Sequence, residues 1–212
     1  MFNSNLNAYI KLYNSISITT DYRFNTYRRL IHLEGASNVA LILASTALIT
    51  VSFIVALYGG NLGKSEVYIT IGQNCLPIIM LALSIMVSGA KYGARAEKIH
   101  DCAQSLNHLK KILNFDIHDN NFSPSAEIFK RYAEKYTRII ERHENHSKLD
   151  LSIEILRNIK HPKILTPLVE FSSGLIGRGF LYYFYLLISL ASLAWMFLGV
   201  YLAISIKEGL PC

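Results

Sequence analysis

Histidines are the residues of this chain best suited to chemistry. His143 and His146 stand three apart beside Glu144, with Asp150 one turn further on. Two histidines at that spacing on a helix can share a metal ion. The HExxH pattern is absent, however, and no third ligand is fixed by spacing, so packing or capping is the expected role. His100, next to Asp101, and His108 fall where a solvated or interhelical role is expected. Cys75, Cys102 and Cys212 are too scattered for a disulfide framework and lack metal-ligand spacing. No GxSxG, P-loop or dinucleotide fingerprint occurs. The reading is therefore of a protein that is not an enzyme, with no catalytic residue, no cofactor and no metal.

A different kind of chemistry is offered by amides and hydroxyls inside an apolar segment. Val67 to Ala90 contains no charged residue, yet it carries Gln73, Asn74, Ser84 and Ser88. At 100° per residue Gln73, Pro77, Met80, Ser84 and Ser88 share one helix face. Polar groups in hydrocarbon are costly unless partnered, so they either bond to another helix or face water. Pro77 removes one backbone donor on that face and predicts a kink. If the segment continues as a helix, Lys91, Arg95 and Lys98 extend the same face as a basic rim. Gln73, Asn74, Ser84 and Ser88 are thus candidate pore-lining residues. A ring of basic rims would favour anions at the mouth. The competing reading has those three cations only anchoring a helix at anionic headgroups.

The elements that must hold this stripe are helices that cross a membrane. Half the chain (51%) is hydrophobic and only 17% is charged, which points to a small polytopic membrane protein. Gly35 to Gly63, Val67 to Ala90 and Gly179 to Ile206 are free of acidic and basic residues. Each is long enough for a helix across the bilayer core, which takes about 20 residues. The net charge of +6 need not mean nucleic acid, because 15 of the 21 basic residues lie between the second and third spans. The positive-inside rule then sets the orientation of a multi-pass protein. The N-terminus and the Lys91 to Arg178 region are cytoplasmic, while the short C-terminal tail is outside. No direct nucleic-acid binding is expected. Membrane lipid is.

The expected fold is an all-α integral membrane protein. An amphipathic cytoplasmic or interfacial preface (1–35) precedes a transmembrane hairpin (36–90). A cytoplasmic helical region (91–178), a third transmembrane helix (179–206) and a short tail (207–212) follow. In the preface, apolar spacing predicts two helices separated at Thr19–Thr20–Asp21, lying apolar face down on the membrane, with partner docking as the alternative. Ala36, Ala40, Ala44 and Ala47 suit close helix approach in the first span. Gly59 to Gly63 supplies the hairpin's turn.

Tyr92, Ala96, Ile99, Ala103, Leu106, Leu109 and Leu113 form a coiled-coil-like stripe at steps of three and four. Asn114 to Asn121 should end that helix. Ser123 and Pro124 are set to begin the next, as N-cap and first helical residue. Phe129, Tyr132, Ala133, Tyr136, Ile139, Ile140 and His143 then line one face. Leu149, Ile153 and Leu156 suggest a third, shorter helix. Pro162 and Pro167 bound a connector, and Gly174, Gly177 and Gly179 should loosen the chain before the last span. Leu106, Leu109, Tyr132, Tyr136 and Ile139 would be exposed on an isolated hairpin. They are candidates for self-association into a homo-oligomer, unless they cover each other within one chain as an antiparallel pair.

The hairpin running into RAEKIHDCAQSLNHLKKIL, then KRYAEKYTRIIERHENHSKLD, then a closing apolar helix, resembles the SLATT family of SMODS- and SLOG-associating two-transmembrane effectors. The resemblance spans roughly Tyr22 to Ile206. The third span and the Arg142 to Asp150 stretch are most similar to the branch found beside reverse transcriptases in prokaryotic defence loci. What this implies is an antiviral effector that oligomerises and opens a pore in the host membrane. Its trigger would be a reverse transcriptase or nucleotide-signalling partner. The family offers no catalytic residues, and the third span departs from its two-span core. A passive membrane anchor that recruits a soluble defence enzyme is the alternative.

Overall fold

The computed structural model describes residues 2–58, 65–119, 122–142 and 166–207. Every regular element among them is a helix. These are α1 (Phe2–Tyr58), α2 (Ser65–Ala90), α3 (Tyr92–His118), α4 (Ala126–Glu141) and α5 (Thr166–Lys207). They divide into two compact units, Met1–Ile31 with Gly93–Gly177, and His32–Tyr92 with Arg178–Cys212. The hairpin turn at 59–63, the predicted helix around Leu149, Ile153 and Leu156, and Pro162 lie outside the described residues.

The break expected at Thr19–Thr20–Asp21 is absent, because α1 runs through it without interruption. Threonine and serine stop helices when their side chains compete for backbone groups in non-helical conformations. Here the hydroxyls of Thr19 and Thr20 donate instead to the carbonyls of Ser15 (2.8 Å) and Ile16 (2.7 Å). No glycine or proline occurs before Gly35 to end the helix by backbone chemistry.

In the first unit the early part of α1 packs against α3 and α4. Tyr9, Ile16, Cys102, Leu106, Leu109, Leu113 and Tyr132 form the buried core, with Leu12, Phe122, Phe129, Tyr136 and Ile139 packed around it. Tyr9 meets the rings of Phe122 and Phe129 edge-on, at centroid separations of 5.2 and 5.4 Å. The preface face that the sequence reading laid on the membrane is thus covered by protein at Tyr9, Ile16 and Leu30. All seven residues of the predicted α3 stripe are buried. On α4, Tyr132 is buried and Phe129, Ala133, Tyr136, Ile139 and Ile140 are half-buried, while the charged residues between them are exposed.

Two boundaries in this unit differ from expectation. Helix α3 continues past Asn114 to His118, whose ring nitrogen Nδ1 lies 2.8 Å from the Asn114 carbonyl. The N-cap of α4 is Ser125 rather than Ser123. Its backbone is extended (φ −114°, ψ 152°), and its hydroxyl accepts the Ile128 N–H at 3.2 Å. The extended backbone favoured before a proline suits an N-cap too, so what distinguishes Ser125 is the Ile128 N–H that its hydroxyl accepts.

In the second unit Ala40, Ala44 and Ala47 are buried, and the line continues through Val51 and Ile54. Val51 and Ile69 form a core with Val55, Trp195 and Leu202 around them, so α1, α2 and α5 all meet there. Glycine makes two of these approaches close. A Cβ on Gly72 would collide with the Trp195 ring, and one on Gly199 would lie 3.0 Å from a Val51 methyl. Hydroxyls are satisfied locally. Ser45, Thr46, Thr50, Ser52, Ser189 and Ser192 each donate to the carbonyl four residues earlier. Helix α5 begins at Thr166 and passes through Pro167, Gly174, Gly177 and Gly179. The loosening expected there does not occur. Pro167 sits in the first turn, where its missing N–H costs nothing, and single glycines weaken a helix by only about 1 kcal/mol.

Candidate functional site

Helix α2 opens the least covered of the three apolar stretches among the described residues. Only 11% of the residues in its apolar window are buried, against 28% for α1 and 17% for α5. The side that packs on its own chain carries the buried Ile69 and Leu83, with Leu76, Met80 and Val87 half-buried. At 100° per residue, Pro77, Ser84 and Ser88 lie roughly 80–120° around the helix from that side. All three are exposed, as is Asn74. Gln73 sits at the boundary. Its amide donates to the Ser52 hydroxyl of α1 at 3.2 Å, and that hydroxyl donates in turn to the Leu48 carbonyl. The candidate stripe is therefore divided, with Gln73 tying the hairpin together while Asn74, Ser84 and Ser88 point away from the fold. The Pro77 ring also deprives the Gln73 carbonyl of its usual helical donor.

Lys91 separates α2 from α3. Its φ of 46° places a non-glycine residue in the left-handed region. Projecting the stripe from Ser88 onto Arg95 and Lys98 assumed an unbroken helix, and this turn residue removes that register. Lys91, Arg95 and Lys98 are all exposed. On α3 the latter two lie between members of the buried stripe, and each is followed by one, Ala96 and Ile99.

The five residues considered for self-association are found together inside the first unit. Leu106 and Leu109 are buried beneath α1, Tyr132 closes the core, and Tyr136 and Ile139 pack at its edge. Polar bonds fasten the same contact. The Tyr132 hydroxyl donates to the Asp116 carboxylate, the Tyr9 hydroxyl donates to the Ser125 carbonyl at 2.7 Å, and the Thr19 and Tyr136 hydroxyls are 2.8 Å apart. Burial pushes the Tyr132 phenol well above its ordinary range, and the neighbouring Asp116 carboxylate adds to the shift. Tyr132 therefore stays protonated and keeps donating.

Of the histidines, His100 lies over Tyr27 with ring centroids 4.5 Å apart and has the Gln104 amide 2.8 Å from its Nε2. That is an interhelical packing role. Asp101 and His108 are exposed, and Cys102 is buried. His143, His146, Glu144 and Asp150 lie outside the described residues. Among the described residues no three His, Cys, Asp or Glu side chains come together as a metal group.

Sequence reasoning missed the seam of α1. Ile16, Thr20, Arg23, Thr26, Leu30, Leu33, Ser37, Ala40, Ala44, Ala47, Val51 and Ile54 are all buried, at steps of three and four. The signal was present as a seam of about 3.5 residues. It was hidden because Thr20, Arg23, Thr26 and Ser37 occupy positions where an apolar residue is the usual sign.

Among the described residues, three helices long and apolar enough to span, regular structure that is all helical and an uncovered polar face on α2 define the class as a helical membrane protein. The chain matches SMODS and SLOG-associating 2TM effector domain family 5 over residues 7–204, and it belongs to that family. The family is associated with defence systems, and its domain is a membrane helical domain rather than a known enzyme family. No curated protein and no solved structure matches the chain.

Proposed function

We propose that this protein is an oligomeric membrane effector of prokaryotic anti-phage defence. Copies assemble through α2 and open a path across the cell inner membrane when a partner triggers them. In this reading the N-terminus and the first unit are cytoplasmic and the tail is outside. The partner is a reverse transcriptase or a nucleotide-signalling protein, acting on the helices of the first unit. The observation that carries the reading is the uncovered face of α2, where Asn74, Ser84 and Ser88 are exposed on a helix apolar enough to span. Left in hydrocarbon, such groups are costly, whereas a second copy or a water-filled path would satisfy them.

The experiment is to replace Ser84 and Ser88 together by Leu and follow membrane potential in triggered cells. Loss of depolarisation, with insertion unchanged and the partner still at the membrane, is expected. Undiminished depolarisation would overturn the assignment of the path to this face. A passive anchor that recruits a soluble defence enzyme draws support from the Gln73–Ser52 bond, which uses one stripe residue to hold the hairpin. An anchor tolerates the double replacement with defence intact.

A further inference from the structure

A single residue separates α2 from α3. Helix α2 ends at Ala90, α3 begins at Tyr92, and Lys91 between them leaves the helical region, with φ at 46°. A residue with a Cβ is disfavoured in that left-handed conformation and persists there when its surroundings hold it. One such hold is visible. The Tyr92 and Tyr185 hydroxyls lie 3.4 Å apart, on side chains 7% and 1% exposed, so the first residue of α3 is tied to α5. Gly89 stands in the last turn of α2, where a Cβ would meet nothing within 4 Å. Packing does not call for this glycine, which weakens the helix just before it stops.

We infer that Lys91 is a two-state joint, left-handed in the interrupted form and helical in a continuous form that fuses α2 with α3. Only this residue has to change, because both of its neighbours are already helical. At 100° per residue the continuous helix carries Lys91, Arg95 and Lys98 onto the face of Ser84 and Ser88. The interruption takes them off it. A helical Lys91 also redirects the chain beyond it, so Tyr92 leaves Tyr185. The Tyr92–Tyr185 contact therefore belongs to the interrupted form and acts as its latch. The charge at the end of the polar face is thereby set by one backbone turn. The joint rests on the facing ends of two helices and stands or falls apart from the proposed pore.

The test measures a distance. Spin labels are attached through Leu81→Cys and Ser105→Cys in the full chain, with Cys75 and Cys212 replaced by serine and the buried Cys102 left in place. Labelled chain is diluted with unlabelled chain in lipid vesicles, and the separation is read by pulsed electron paramagnetic resonance. A continuous helix sets the two sites about 36 Å apart, at about 1.5 Å per residue, and an interruption shortens that. The parent chain should show mainly the shorter separation. Lys91→Val, whose branched Cβ resists the left-handed region, should populate the long one, and Lys91→Gly should suppress it. The ratio of the two populations should differ about 5–30-fold between these variants, the factor set by the left-handed penalty. Tyr185→Phe, which removes the latch, should shift the parent in the same direction as Lys91→Val. Circular dichroism shows which variants keep their helix content. If Lys91→Val does not, Lys91→Gly combined with Tyr185→Phe decides, and failure to reverse the Tyr185→Phe shift overturns the joint. So does one separation common to all the chains, or the long separation already dominant in the parent.

Discussion

Truncating Leu106 separates packing within one chain from packing between copies. Leu106 is 0% exposed in a single chain, held among Ile16, Cys102, Leu109 and Leu113. Leu106→Ala removes three carbon groups, worth roughly 2.4 kcal/mol at about 0.8 kcal/mol each. The residual cavity adds about 24 cal/mol for every Å³ that does not collapse. A loss of about 3–4 kcal/mol results, inside the range of about 2–5 kcal/mol for buried leucines. Ile112, on the solvent side of α3 and 38% exposed, is the internal control, and Ile112→Ala should cost less than about 1 kcal/mol. The assay is thermal unfolding of the detergent-solubilised chain by circular dichroism at two protein concentrations well apart. Contacts within one chain give a loss that does not depend on concentration, whereas contacts between copies make it concentration-dependent by mass action. A concentration-dependent loss, or equal costs at Leu106 and Ile112, would refute the assignment of this core to one chain.

Ser125→Ala should cost about 1 kcal/mol by removing the cap of α4, while Ser123→Ala stays within about 0.5 kcal/mol, as read by the same unfolding assay. Lys91→Gly should stabilise the chain by about 1 kcal/mol, because glycine carries no penalty in the left-handed region, and Lys91→Val should destabilise it. Lys91→Asn, which tolerates that region but lacks the charge, separates backbone strain from electrostatics. Tyr132 has a raised phenol pKa in the fold, so the unfolded chain loses this proton first as the solution becomes alkaline. Its contribution is therefore complete below the ordinary value of 10.0 and declines above it. The unfolding temperature of wild type should fall more steeply above that pH than that of Tyr132→Phe, and tyrosinate absorbance should show one phenol titrating late.

The α3 stripe was legible because each buried position holds alanine or a large apolar residue, from Tyr92 to Leu113. The spans were legible because charge is absent over their length. The early part of α1 was harder to read. Thr20, Arg23 and Thr26 sit on its buried seam, and hydroxyl pairs beside an aspartate look like a helix start. Only the local bonds of Thr19 and Thr20 to earlier carbonyls show that they continue the helix. Ser123 and Ser125 flank the same proline, and composition does not choose between them. The bond from the Ile128 N–H does. At the candidate site the stripe's membership could be read from helical spacing, but its division could not. Whether Gln73 faces protein depends on Ser52, which is 21 residues away along the chain and becomes its neighbour only in the fold. Lys91 carried no local sign of its left-handed backbone, a conformation uncommon for any residue but glycine.

Six serine and threonine hydroxyls on α1 and α5 of the second unit spend their single proton on their own helix. Ser45, Thr46, Thr50 and Ser52 on α1, and Ser189 and Ser192 on α5, each give it to a carbonyl four residues back. What such a hydroxyl still offers a neighbour is lone pairs. These surfaces can only accept, so two of them brought face to face have nothing to exchange. Gln73 meets Ser52 because its amide brings protons to an oxygen that has none left to give. Partner choice inside this membrane unit thus follows an asymmetry of supply, in which an amide is worth more than another hydroxyl.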